Sequence, residues 1–175
     1  MACVTQTDLP KDALLLQYRE NGAYTDCYTA SIPGSVSLTE YIYAFYTTTP
    51  FKMERFILRW AVSRPSSDEQ ARQLAESELT AFAAWNVESR DDAQILLSDF
   101  RGRTRSWLMV SPDSSGEGAA TRLHFGSAVI PVSRGDTANT KLGQPYRLLM
   151  SFHRLYSKVL LTAARSRLLA LHTLA

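Results

Sequence analysis

Two cysteines and three histidines in 175 residues leave this chain poor in metal ligands. Cys3 and Cys27 cannot supply a four-thiolate site. His124, His153 and His172 show neither the H-E-x-x-H arrangement nor paired spacing, so no structural metal is expected. In a reducing compartment the two cysteines read as free thiols, although a Cys3–Cys27 pairing is formally open. Glycine and proline are sparse, at eight and seven residues, which excludes collagen-like and low-complexity chains. A long uncharged run is also missing. The most apolar stretch, 145–175, is cut by Arg147, Arg154, Lys158, Arg165 and Arg167, leaving no apolar span of about 18 residues to cross a bilayer. Residues 1–12 are polar and acidic, unlike a secretory leader, so the expected location is the cytoplasm.

What is present is an ordinary globular composition, 45% hydrophobic and 21% charged, sized for one core. The net charge of +2 conceals an asymmetry. Residues 1–100 carry eight Lys/Arg against fourteen Asp/Glu, net −6, and residues 101–175 carry eleven against three, net +8. Attraction between the halves is the simplest consequence, and a basic face for phosphates or anionic lipid is the alternative.

Residues 1–23 read as an N-terminal arm, closed by the turn signal Glu20-Asn21-Gly22, and 24–175 as a single domain. Tyr24–Ile32 is rich in Tyr and Thr, stops at Pro33-Gly34 and reads as the first strand. Leu38, Tyr41, Ile42, Phe45 and Tyr46 then fall on one face of a helix capped by Ser35 or Ser37. After Thr47-Thr48-Thr49, Pro50 opens a second helix with Met53, Phe56, Ile57 and Trp60 as its apolar stripe. Ser67 with Gln70 is a capping box that starts a third helix through Ala71, Leu74, Ala75 and Leu79. Four strands follow, at 81–88, 94–100, 104–111 and 121–132, joined as an antiparallel meander. After a polar loop, Pro145 starts a helix reaching about Leu171. On a wheel of 100° per residue with Arg147 at zero, Arg154, Lys158 and Arg165 lie within about 20°. Leu149, Phe152, Tyr156, Val159, Leu160 and Ala163 occupy about 120° to 220°. Such a face needs a large apolar partner, and the sheet is the candidate.

This order of elements resembles the helix-grip fold of the START-like and birch-pollen-allergen-like superfamily (SRPBCC). The segments 44–55, 99–107 and 151–156 look like a bacterial domain family of unknown function associated with it. The resemblance implies an α+β fold, with an antiparallel sheet wrapped around a long C-terminal helix and a helical pair after the first strand. It also implies an apolar cavity that in relatives holds lipids or other hydrophobic molecules. The usual fold has seven strands, and the sequence displays only five.

If Arg101-Gly102 form the hairpin loop, Leu96 faces Trp107 and Ser98 faces Arg105. Large apolar groups then occupy both faces, so both should be covered. Arg103 and Arg105 beside Trp107 could clamp the anionic head of a ligand; the alternative is pairing with Asp99, Asp91 or Asp92, or exposure to water. Three closely spaced arginines with one tryptophan fall short of a nucleic-acid footprint. The basic stripe of the last helix could touch anionic lipid, but more often such a stripe is solvated. No G-x-S-x-G elbow supports a serine nucleophile, and a Cys27–His124–Asp99 or Ser–His–Asp set has no local support. His124 reads as a surface or cavity-polar group. Gly116 and Gly118 lack the third glycine of a dinucleotide fingerprint, and no cofactor is expected.

The resulting expectation is a binder of a hydrophobic or amphipathic, lipid-like small molecule between sheet and C-terminal helix. Its candidate pocket residues are Trp60, Trp85, Leu96, Arg105, Trp107, Phe125, Phe152 and Tyr156. The alternatives are an enzyme using the same cavity, a cyclase, isomerase or hydrolase with His124 or a tyrosine moving a proton, and an interaction protein with a filled core. The aromatic helical pair leaves room for a homodimer contact.

Overall fold

Seven antiparallel strands form one sheet in the order β1-β2-β7-β6-β5-β4-β3. They are β1 (Thr5–Gln6), β2 (Tyr24–Pro33), β3 (Ala81–Phe82), β4 (Trp85–Arg90), β5 (Gln94–Asp99), β6 (Thr104–Pro112) and β7 (Ala120–Val129). The computed structural model describes residues 4–53, 66–114, 118–130 and 143–173, the last with side chains from 155 onward. The helices are α1 (Leu16–Glu20), α2 (Leu38–Tyr46), α3, described over residues 49–53, α4 (Asp68–Ala75) and α5 (Gly143–Thr173). The fold is α+β, with the long C-terminal helix packed on α2, β2 and β7.

Two strands beyond the five expected have identifiable origins. The arm supplies β1, pairing Thr5 with Thr29 and Gln6 with Tyr28. The stretch expected as a single strand at 81–88 is split by a turn at Ala83, whose φ is +53°, so that Phe82 pairs back on Trp85. An alternation rule cannot see such a turn, because alanine carries no turn chemistry.

Local chemistry explains most helix boundaries. Ser37 and Ser67 each accept from the backbone N–H three residues on, while Glu40 and Gln70 reach back to the cap N–H, giving two complete capping boxes. Thr48 separates α2 from α3: its hydroxyl donates to Phe45 O at 2.9 Å and its carbonyl accepts from Lys52 N at 2.9 Å. Helix α4 stops at Ala75, short of Leu79, because Ser77 takes a φ of +67° and Arg90 donates to the carbonyls of Leu74 and Ala75 at 2.7 and 2.6 Å. In α3 the buried side chain is Phe51, whereas Met53, expected in the apolar stripe, is 65% exposed. The other members of that stripe, Phe56, Ile57 and Trp60, lie outside the described residues.

The two faces of the sheet are covered differently. The inner face carries Tyr28, Ala30, Ile32, Ile95, Leu97, Leu108, Leu123 and Phe125 beneath α2, α4 and α5. Rings of Tyr41, Phe45, Tyr46, Phe51, Phe82 and Phe125 interlock there at centroid separations of 4.7 to 6.3 Å. The outer face carries Cys27, Leu96, Trp107, Met109 and Ala128, and the arm buries them with Leu9, Ala13 and Leu15. Cys27 is a buried free thiol, pushed up to about 11 chiefly by burial.

Helix α5 docks through a different arc from the one the wheel suggests. Among its described side chains the buried ones are Ser157, Leu160, Leu161, Ala164 and Leu168. These lie at about 220° to 320° on the wheel, whereas Val159, at about 120°, is 43% exposed. The basic stripe at zero leaves two flanks, and periodicity does not say which one meets the sheet. Arg165 marks the border: its guanidinium Nε donates to Ser31 O at 2.7 Å while its stem is half-buried.

Candidate functional site

The expected pocket residues divide between the two faces. Trp85 and Phe125 lie on the inner face, and Tyr156 of α5 packs against the same core. Leu96 and Trp107 lie on the outer face under the arm. Arg105 lies there too, because Ser98 faces Arg105 as Leu96 faces Trp107, the register expected for an Arg101-Gly102 loop. Trp60 and the Phe152 side chain lie outside the described residues. One cavity therefore cannot gather the whole set. The hairpin register was legible, but the side facing the long helix was not.

The outer-face members hold the arm in place. Trp107 Nε1 donates to Gln94 Oε1 at 2.8 Å, and the same oxygen accepts from Leu14 N at 2.9 Å. Gln94 Nε2 donates to Asp12 O at 2.9 Å, so one buried amide joins strand to arm. Arg105 pairs with Glu88 at 2.6 Å, rather than with an aspartate, and lies 4.7 Å from the centre of the Tyr18 ring. Its Nε donates to Tyr18 Oη at 2.9 Å and its Nη1 to Gly102 O at 3.0 Å. Glu88 is free to make the pair because it sits at a bulge between Val87 and Ser89. The guanidinium is thus engaged inside the protein, as part of the seam between α1 and the sheet.

The inner face is not uniformly apolar. Alternation places Tyr24 and Asp26 on the side of Tyr28, and register aligns Asp26 with Ser127 and Ser106, and Tyr24 with Val129 and Thr104. Asp26, Ser127 and Ser106 are all buried. Asp26 Oδ1 accepts from Ser127 Oγ at 2.6 Å and from Ser127 N at 3.1 Å. Beside this row, Trp85 keeps its indole N–H buried without a partner among the described residues. Arg165 at Ser31 and His172 near Glu40 set the end of α5 over the Pro33 end of β2, so the earlier turns run toward Tyr24. The sequence patterns do not single out Asp26. Its signal was an acid on the buried phase of a strand whose other members are Tyr24, Tyr28, Ala30 and Ile32.

A second polar cluster occupies the outer face toward the Pro33 end of β2. Ser111 Oγ and His124 Nε2 lie 2.9 Å apart. Arg122, directly opposite Ser111 in the register, pairs with Asp113 at 2.6 Å, and the Ser31 hydroxyl donates to the same carboxylate. His124 is only 5% exposed, and burial, helped by Arg122, pushes its imidazole down to about 4. A groove of about 450 Å³ runs past Val36, Val110, Ser111, Asp113 and Thr121 at the end of the sheet. A smaller one of about 230 Å³ lies between Thr5, Thr7, Thr29, Ser31 and Arg122. The enzyme alternative placed His124 or a tyrosine in the space under the C-terminal helix, and of these the imidazole lies on the opposite face.

No family model, curated protein or solved structure matches the chain. Among the described residues no group of His, Cys, Asp and Glu is placed to hold a metal, and no helix is long and apolar enough to cross a membrane.

Proposed function

We propose that this protein binds a hydrophobic or amphipathic small molecule between the sheet and α5, in the cytoplasm, in the manner implied by its likeness to helix-grip proteins. One observation supports the reading above the others. The inner face is mixed: interlocked aromatic rings run from Phe125, opposite Tyr28, to Phe82, beside Trp85, while the row Asp26–Ser127–Ser106 is polar, and the indole N–H of Trp85 has no partner among the described residues. Burying a carboxylate and hydroxyls costs free energy that apolar packing would avoid, so a core built only for stability gains nothing from them. A ligand with a polar head and an apolar body matches such a wall. On this reading the pocket members are Trp85, Phe125, Tyr156 and Asp26, and Leu96, Arg105 and Trp107 leave the list.

The test is native mass spectrometry of the purified chain for co-purified lipid, followed by titration with a fluorescent fatty-acid analogue. Trp85→Ala should weaken binding several-fold, while Met109→Ala on the outer face should leave it unchanged. Equal binding by both variants, or none by the wild type, would favour a filled-core interaction protein.

A further inference from the structure

We propose that the solvent side of α5 and the hairpin tip between β5 and β6 form one docking surface for a bilayer that carries anionic phospholipid. The surface lies outside the ligand space proposed under α5, and it stands whether or not that space is filled. The first part of it is the flank of α5 turned away from the sheet. The buried arc of the helix spans about 220° to 320°, so its outward line falls at about 90°. Leu155 at about 80° and Val159 at about 120° sit astride that line, 63% and 43% exposed. Lys158, Thr162 and Ser166 share the exposed side. The 31 residues of α5 include five lysines and arginines and no aspartate or glutamate. An exposed apolar pair beside a cation, on a helix without acids, suits the plane of a bilayer interface.

The hairpin tip repeats the combination at the end of the sheet. Phe100 is 38% exposed, the Arg101 guanidinium lies 5.3 Å from the centre of its ring, and Arg103 is exposed one residue beyond Gly102. Asp99, the acid of the tip, is turned to the backbone, accepting from Arg103 N at 2.7 Å and from Thr104 N at 3.2 Å. Among the described residues no carboxylate pairs with Arg101, Arg103 or Lys158. Both parts lie toward one end of the molecule. Thr104 pairs with Val129 and Val129 with Tyr24, which puts the tip at the Tyr24 end of the sheet. Leu155 lies ten residues before Arg165, about 15 Å along the helix from the Ser31 contact and in that direction. Three of the five large apolar side chains exposed among the described residues are thus on this surface, Met53 and Leu171 being the others.

Single exposed apolar groups are ordinary, and here their neighbours select the partner. Leu155 and Val159 are aliphatic and do not stack on bases, so a single-stranded nucleic acid would use Phe100 alone. At a bilayer all three side chains enter the acyl boundary while Lys158, Arg101 and Arg103 meet phosphate.

The experiment sediments the full chain with vesicles of phosphatidylcholine, with or without phosphatidylserine. Binding to the mixed vesicles is expected, and it should fall as salt rises. The double variant Leu155→Ser with Val159→Ser should weaken it about ten-fold. Each of Lys158→Gln, Arg101→Gln and Arg103→Gln should weaken it about five-fold. Leu171→Ser, an exposed apolar position at the other end of the helix, should leave it unchanged. Native mass spectrometry should find the same co-purified lipid in every variant, which separates loss of docking from loss of an internal ligand. Equal binding to both kinds of vesicle, undiminished binding by the apolar and charge variants, or binding of an oligouridine strand in place of vesicles would overturn the assignment.

Discussion

The indole N–H of Trp107 and the backbone N–H of Leu14 converge on one oxygen, Gln94 Oε1, at 2.8 and 2.9 Å. The amide therefore ties the largest buried side chain of the outer face to the arm that covers it.

Gln94→Ala leaves both donors unpaired and releases Asp12 O. Leaving buried donors unsatisfied costs about 1–3 kcal/mol each, so a loss of about 2–4 kcal/mol is expected in urea unfolding. Hydrogen exchange at Leu14 should accelerate more than exchange in β2. A loss below about 0.5 kcal/mol would mean that the arm contributes little to stability.

Gly126 is required by close approach. A Cβ there would lie 2.8 Å from Asp26 O, 2.9 Å from the Trp107 ring and 3.0 Å from Leu15. Two of these three neighbours belong to the sheet interior and cannot yield cheaply. Gly126→Ala should destabilise by about 1–3 kcal/mol and change Trp107 fluorescence. Unaltered emission together with unaltered stability would contradict the packing described.

His124 gives stability a pH dependence of definite sign. Unfolded, its imidazole takes up a proton below about pH 6.5; folded, it does so only near pH 4. Between these values the unfolded state binds more protons, so the contribution is fully present above 6.5 and is lost as pH falls. The full shift corresponds to a loss on the order of 3 kcal/mol. Urea midpoints from pH 7.5 down to 4.5 should fall more steeply for the wild type than for His124→Gln. Parallel curves would show that the imidazole is not buried as described.

Each capping box should be separable from tertiary packing. Ser37→Ala and Ser67→Ala should each cost about 1 kcal/mol, measured by chemical denaturation. Their changes should add in the double variant. A coupling above about 0.5 kcal/mol would mean that the two helix starts share a partner.

Much of the framework was legible in local patterns. Strand β2, helix α2 with its cap narrowed to Ser35 or Ser37, the Ser67 cap and the Leu96–Trp107 register followed from alternation, helical spacing and turn chemistry. Each of those signals is carried by residues close together in the chain. The candidate sites were legible only in fragments. Trp85, Phe125 and Tyr156 do pack with the inner core, whereas Ser111 and His124 meet across two strands and no local motif marks them.

By itself, then, the amino-acid order determined element types, most of their ends and the partners within the central hairpin, since backbone preferences and side-chain periods act over a few residues. Only tertiary structure decided which side of the sheet faces the long helix and which flank of that helix is buried. It also set the arm over Trp107, brought Arg105 to Glu88 and turned His124 away from the space under α5. A period of two or of 3.6 says which side chains travel together, but not what will lie opposite them. Competition among the arm, α2 and α5 for two apolar faces settles that, and the competition exists only once the chain is folded.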